Sequence, residues 1–266
     1  MKNKILIWTI LIISIIAVIG AIMFNTKFEE SNENTLVLGM DDSFPPMGFR
    51  NENNELIGFD IDLAKEVCNK LGLNLKVQTI SWAAKEQELN SGKIDCIWNG
   101  FGYTEERENA MTLSNIYIKD ESVFFVKSNS EYDSQEELKG KRIGVQNGST
   151  QERRLNDSEY GKEIKEIVGY SDYLTALMDL EAGNIDAVYM SQITGSYIMK
   201  TQNKNFKTFE AKGLSKEKTG MVIAFKKGNI ELKNKIENAI SELKKEGKVK
   251  EISEKWFGKD ITQEKE

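Results

Sequence analysis

The stretch Trp98-Asn99-Gly100-Phe101-Gly102-Tyr103-Thr104-Glu105-Glu106-Arg107 decides how this chain reads. Lys93-Ile94-Asp95-Cys96-Ile97 before it has the look of a short buried strand, and apolar residues return only at Met111 and Leu113. The stretch is therefore expected to leave a strand and run into a helix start. Gly100 and Gly102 let a ligand approach the main chain, Thr104 can cap the helix, and Arg107 follows about one turn later with a planar fork of donors. Free N–H groups at a helix start beside a guanidinium suit a small carboxylate. A surface Arg on a capped helix would use the same residues, so the rest of the chain has to discriminate.

On the N-terminal side, residues 35–40 form a strand pattern. Residues 41–47 read as a turn that Pro45-Pro46 holds extended, with Phe44 left in the open. After a hairpin around residues 51–54, Asp60 can cap a helix whose Leu63, Ala64, Val67, Cys68 and Leu71 share one face, ended by Gly72. A strand over 75–80 follows, with Trp82 at its exit and a helix to Leu89. This β-α-β-α-β order predicts a mostly parallel sheet with ligands at the carboxyl ends of its strands, where Asp41, Phe44, Trp82, Asn99 and Arg107 all fall. On the C-terminal side, strands are expected over 122–127 and 142–145. The second opens into Gln146-Asn147-Gly148-Ser149-Thr150-Gln151, another strand-to-helix loop rich in free N–H and hydroxyl groups. A helix over 173–181, strands over 186–190 and 221–225 and one amphipathic helix over 230–256 complete the reading.

With 266 residues, 39% hydrophobic and 29% charged, the chain can hold one large or two ordinary domains. Its 36 basic and 42 acidic residues are well mixed, and a net charge of -6 gives no case for nucleic acid. There is no His, and Cys68 and Cys96 cannot by themselves make a zinc site, so no metal and no cofactor is expected. Both Cys occupy apolar positions and read as buried thiols. Residues 5–24 are almost unbroken apolar sequence behind Lys2 and Lys4, the pattern of one N-terminal transmembrane helix that leaves the remainder outside the cell. A cleaved signal segment is the competing reading. Residues 25–34 are then a polar tether.

Six ordered motifs place the chain beside a known family. Gly58-Phe59-Asp60-Ile61-Asp62-Leu63-Ala64, Trp98-Asn99-Gly100 and Thr104-Glu105-Glu106-Arg107 come first. Gly140-Lys141-Arg142-Ile143-Gly144-Val145, Leu180-Glu181-Ala182-Gly183-Asn184-Ile185-Asp186-Ala187-Val188 and Ile252-Ser253-Glu254-Lys255-Trp256-Phe257-Gly258 follow. Over about residues 35 to 260 the chain closely resembles the family 3 extracellular solute-binding proteins of polar amino-acid ABC importers. The resemblance implies an α/β, two-lobed periplasmic-binding-protein-like clamshell of type II, with residues 35–121 plus 222–266 in one lobe and 122–221 in the other. It also implies an ABC permease as partner, a monomer, and hinge closure on a small carboxylate-containing ligand, an amino acid or derivative. By the same resemblance Arg107 would hold the ligand α-carboxylate, helped by the Thr104 N–H, Ser149 and Thr150. Phe44 and Trp82 would sandwich the side chain, Asn99, Gly100 and Gly102 would offer polar or backbone contacts, and Gln151 and Asp41 would read the distal end.

One position departs from the pattern. Where the family has an Asp for the ligand α-ammonium, after the strand that includes Asp186, this chain has Ser191 followed by Gln192. A buried ammonium without a counter-charge costs several kcal/mol. Three explanations stay open: a ligand without a free ammonium, a shifted pose in which Asp41 or Asp42 takes the ammonium, or a tethered sensor or interaction module with a diverged cleft. A dehydratase-like enzyme on the same fold is the further alternative, for which the cleft offers only Asp41, Asp42 and Glu152 as carboxylates.

Overall fold

Alternating burial sets the first strand, β1 (Thr35–Met40): Leu36, Leu38 and Met40 point inward at every second position. The computed structural model describes residues 34–214 and 218–262, so the apolar run 5–24 and nearly all of the expected tether lie outside it. Among the described residues no helix is long and apolar enough to cross a membrane. Strands β2 (Ser43–Phe44), β3 (Gly48–Arg50) and β4 (Leu56–Ile57) form a small antiparallel sheet, and the Pro45–Pro46 peptide inside it is cis.

Helix α1 (Phe59–Leu71) begins two residues earlier than its sequence suggests: Gly58 is the N-cap and Asp60 lies inside the first turn, fully buried. Gly58 is needed there because φ is +150° and an added Cβ would stand 2.3 Å from the Met47 carbonyl oxygen. Gly72, at φ 67°, ends the helix as expected. Next come β5 (Asn74–Thr79), a 3-10 turn at Trp82–Ala84, α2 (Lys85–Ser91), β6 (Cys96–Ile97), α3 (Glu105–Ala110) and β7 (Thr112–Leu113).

The middle of the chain supplies β8 (Ser122–Lys127), β9 (Arg142–Gln146), α4 (Thr150–Asp157), β10 (Glu166–Tyr170), α5 (Tyr173–Ala182), β11 (Ala187–Ser191), α6 (Gln192–Thr201) and β12 (Phe206–Glu210). Then follow β13 (Ala224–Phe225), α7 (Ile230–Lys245) and α8 (Lys248–Phe257). The single helix expected over 230–256 is thus two, broken at Gly247, whose φ of 79° no helix accommodates. The strand expected over 221–225 shrinks to β13; Met221 instead makes isolated bridges to Gly102 and Ile118.

Two five-stranded sheets result, in the orders β5-β1-β6-β13-β7 and β10-β9-β11-β8-β12. In the first, β1 and β6 run parallel, and β13 enters antiparallel to both β6 and β7. In the second, β9 is parallel to β10 and β11, while β8 is antiparallel to β11 and β12. Each sheet is therefore mixed, because in each one strand enters against the parallel run. The segments connecting the two sheets pair with one another: Tyr117 N–H donates to Met221 O (3.0 Å) and Met221 N–H to Ile118 O (2.8 Å). The fold is α/β and two-lobed, with the carboxyl ends of β1, β6 and β9 contributing to the same cavity. Cys68 and Cys96 are buried and unpaired.

Candidate functional site

Arg107 is built in by the first turn of α3. Thr104 adopts an extended conformation and its Oγ1 accepts from Arg107 N (3.1 Å), which fixes where the guanidinium leaves the helix. The side chain, only 7% exposed, donates through Nη1 to Gly102 O (2.7 Å) and Thr150 Oγ1 (2.9 Å) and through Nη2 to Gly148 O (3.1 Å). It also lies over the Phe101 ring, 4.0 Å from its centroid. Burial lowers its pKa to about 10, and it stays a cation at neutral pH. Opposite stands the start of α4, where Ser149 Oγ accepts from Glu152 N (3.0 Å) and Glu152 Oε2 accepts from Gly148 N (2.6 Å). Two capped helix starts, one from each side, thus meet at Arg107.

The loop between β6 and α3 is pinned from below. Asp60 Oδ2 accepts from Gly100 N (2.7 Å) and from Tyr117 OH (2.9 Å), and burial pushes its carboxyl up to about 7. Asp60 is therefore a buried anchor for the loop and not a helix cap. Gly100, at φ 58°, brings the main chain so close to Phe44 that an added Cβ would lie 2.5 Å from the ring. Phe44 is accordingly buried between this loop and Tyr173, whose ring centroid is 6.1 Å away, contrary to the exposed position its turn suggested. Trp82 meets Phe101 edge-on at 6.0 Å. The buried Lys85 ammonium reaches across to Gly148 O (2.8 Å) while holding Trp82 O (3.1 Å); burial, and then the charge of Arg107, lower it to about 8.

Asp41 closes the far end. Its backbone N–H donates to Asn99 Oδ1 (3.1 Å), and its Oδ1 accepts from Ser43 N (3.0 Å) and Ser43 Oγ (2.7 Å). Its Oδ2 accepts from Gln146 Nε2 of the opposite sheet. Desolvation by burial raises its pKa.

These groups surround a cavity with about 40 Å³ of room for the centre of a water molecule, several contiguous water positions and the scale of one small polar molecule. Asp41, Phe44, Trp82, Asn99, Gly100, Gly102, Arg107, Ser149, Thr150, Gln151 and Ser191 line it. Thr104 does not: it is fully buried behind the wall as the cap of α3. Asp42 is also elsewhere, bonded to Arg50 at 2.6 Å, and Asp186 accepts from Arg142 N (2.8 Å).

Residues 36–259 match the family model of bacterial extracellular solute-binding proteins, family 3. The chain belongs to that family. The L-cystine-binding protein TcyJ of Escherichia coli K12 is 29% identical over 230 residues, covering 86% of this chain and 84% of that protein. An ABC uptake transporter substrate-binding protein from Streptococcus pneumoniae, solved with bound histidine, is 33% identical with a TM-score of 0.82, over 87% of this chain and 95% of that one. An ancestral arginine-binding protein bound to arginine is 35% identical with a TM-score of 0.77, over 85% and 99%.

In this solute-binding protein the cavity wall contains Gln146 of the second loop and also residues that the sequence did not single out: Asp120, Ser122, Arg154, Tyr173, Gly220 and Met221. Gln151 Nε2 donates to Ser122 Oγ (2.8 Å), and Tyr173 OH to Gln151 Oε1 (3.0 Å). Arg154 is buried, makes a long contact to Ser122 Oγ (3.4 Å) and bonds the Tyr189 hydroxyl, and leaves its Nε without a partner among the described residues. Asp120 Oδ1 accepts from Ile193 N (3.3 Å) and the carboxylate also accepts from the Ser191 hydroxyl; burial pushes it up to about 6. No local pattern marks these residues. Asp120 sits in a connecting segment, and only the pairing of β8 with β11 carries it to the cavity.

Proposed function

We propose that this chain is the extracellular substrate-binding component of an ABC importer and that it captures an amino acid or close derivative between its two lobes. The lobes would be residues 35–121 with 222–266, and 122–221. Residues 5–24 would hold the chain at the outer face of the cell membrane as one transmembrane helix, and a permease would receive the loaded monomer. The observation that carries the reading is the buried Arg107 fork between two capped helix starts, which among the described residues has carbonyl and hydroxyl partners but no carboxylate. A ligand α-carboxylate there would take N–H and hydroxyl groups from Ser149 and Thr150.

Phe44 and Trp82 would flank the ligand's aliphatic or aromatic part, with Gly100 and Gly102 keeping the main chain close to it. Asp41, fixed by Ser43 and Gln146, would sit at the distal end with Asn99 and Gln151, a polar end that suits a cationic or hydrogen-bonding side chain. Histidine, arginine and cystine, named for the relatives, are the first ligands to test. Hinge closure would be driven by the ligand's preference for the closed arrangement.

Calorimetric titration of the full chain in detergent with L-histidine, L-arginine and L-cystine tests the proposal. Binding of at least one, recovered chemically unchanged afterwards, is expected. Conversion of the bound compound would favour the dehydratase-like alternative, and no binding by any of the three would refute the reading.

A further inference from the structure

Resting on that reading, we propose that Asp120, oriented by the Ser191 hydroxyl, is the carboxylate that receives the α-ammonium of the ligand, so the substrate is an ordinary zwitterionic amino acid. The substitution at position 191 removes a negative charge from the end of β11, and the antiparallel neighbour restores it. Ser191 pairs with Ser122, and Gln192 N–H donates to Glu121 O (2.8 Å). Continuing the same register brings Asp120 opposite Ile193, whose N–H reaches Asp120 Oδ1 at 3.3 Å. The carboxylate thus arrives beside the Ser191 side chain from the next strand instead of from Ser191 itself.

The hydrogen bonds sort the candidates. Both oxygens of Asp41 are engaged, Oδ1 by Ser43 and Oδ2 by Gln146. Asp42 is tied to Arg50 outside the cavity. Asp120 has the Ser191 hydroxyl and the backbone N–H groups of Ile193 and Glu121 as hydrogen-bond partners, with the Arg154 charge near it. An ionised carboxylate offers about four acceptor positions, so capacity remains, and Asp120 is partly open toward the cavity it lines. Ser191 Oγ already accepts from Thr194 N (3.2 Å), so its single proton is free to be given to Asp120 and to fix that carboxylate's orientation.

The two proposed sites are also linked through the start of α4. Thr150, bonded to Arg107, is followed by Gln151, bonded to Ser122, two residues from Asp120. Arg107 and Asp120 thus line one cavity together with Thr150 and Gln151 of that turn. The wall then carries two cations, Arg107 and Arg154, against two carboxylates, Asp41 and Asp120, and a zwitterion enters without changing that balance.

The test is titration of the full chain, wild type, Asp120→Asn and Asp120→Asn/Ser191→Asp, with L-histidine, L-arginine and L-cystine. For whichever amino acid the wild type binds, Asp120→Asn is expected to weaken affinity at least about 100-fold, a loss in the range found on removing one partner of a buried charge pair. The double variant, which moves the carboxylate to β11, is expected to recover to within about tenfold of wild type, which excludes misfolding as the cause of the loss. Affinity of Asp120→Asn within threefold of wild type, or a double variant no better than the single one, would overturn the proposal. A wild type that binds none of the three instead refutes the underlying reading of the site, so the two failures are distinguishable.

Discussion

Gly102→Ala isolates the closed arrangement of the lobes. An added Cβ at Gly102 would lie 2.6 Å from Thr150 Oγ1 and 3.3 Å from Thr150 Cβ, both across the cavity. Gly102 is not among the glycines with positive φ, so alanine fits the local backbone and the conflict arises only when the lobes meet. Two responses are open to Thr150. Retaining its rotamer forces the lobes apart, an overpacking cost of about 1–3 kcal/mol. Rotating the hydroxyl away forfeits its 2.9 Å bond from the Arg107 guanidinium, worth about 1.5–3 kcal/mol for a charged donor. Either way the closed state loses about 1–3 kcal/mol, which converts to an affinity roughly 5- to 140-fold weaker. Calorimetry measures it directly, and the melting midpoint without ligand checks that the fold is otherwise intact. An affinity within twofold of wild type would refute closure to the observed distance. A drop of several degrees in the unliganded protein would mean that the lobes already rest together.

Other perturbations read other parts of the site. Arg107→Ala is expected to abolish measurable binding, a loss of at least about 100-fold, because it removes the fork and takes the donor from the Gly102 carbonyl and the Thr150 hydroxyl. Retained affinity in titration would make the loop purely structural. Lys85→Met removes the bond to Gly148 O that spans the cavity without touching the ligand position, and is expected to weaken affinity by about tenfold.

Affinity should also fall as pH drops through about 6, because Asp120 must be ionised to take an ammonium. Arg154 of α4, Tyr173 of α5 and Ser191 face it, with Tyr117 earlier on its own segment, and Asp41, also raised, acts in the same direction. Titrations between pH 5 and 8 on wild type and Asp120→Asn separate the two carboxyls. Asp60, raised in the fold from 3.8 to about 7, favours folding most when protonated. Its contribution is complete below pH 4 and is lost as pH rises to about 7. Asp60→Asn should flatten that part of the melting profile, and an unchanged profile would contradict the assignment.

The local chemistry of the cavity was legible before any coordinates. Thr104 caps the helix its sequence announces, and Ser149 caps the helix that follows the second loop; both caps are contacts between residues three apart. The same applies to the glycines that let the loop turn and to the carboxyl-end positions of Asp41, Trp82 and Asn99. Misreadings came where a residue's partner was remote. Asp60 has the pattern of a cap, yet its partners, Gly100 and Tyr117, lie 40 and 57 residues away. Phe44 was expected in the open because its turn offers no cover, and its cover comes from the loop at Gly100 and from Tyr173 of α5.

By itself the sequence determined the class of fold and the Arg107 end of the cavity, since alternation, caps and glycine turns are encoded within a few residues of where they act. The identity of the negative charge facing Ser191 was decided only by tertiary structure. Asp120 and Ile193 are 73 residues apart, and nothing short of the β8–β11 register specifies that they meet. An antiparallel register is a property of two strands together, which is why Ser191 alone reads as a lost charge and the folded chain has one in its place.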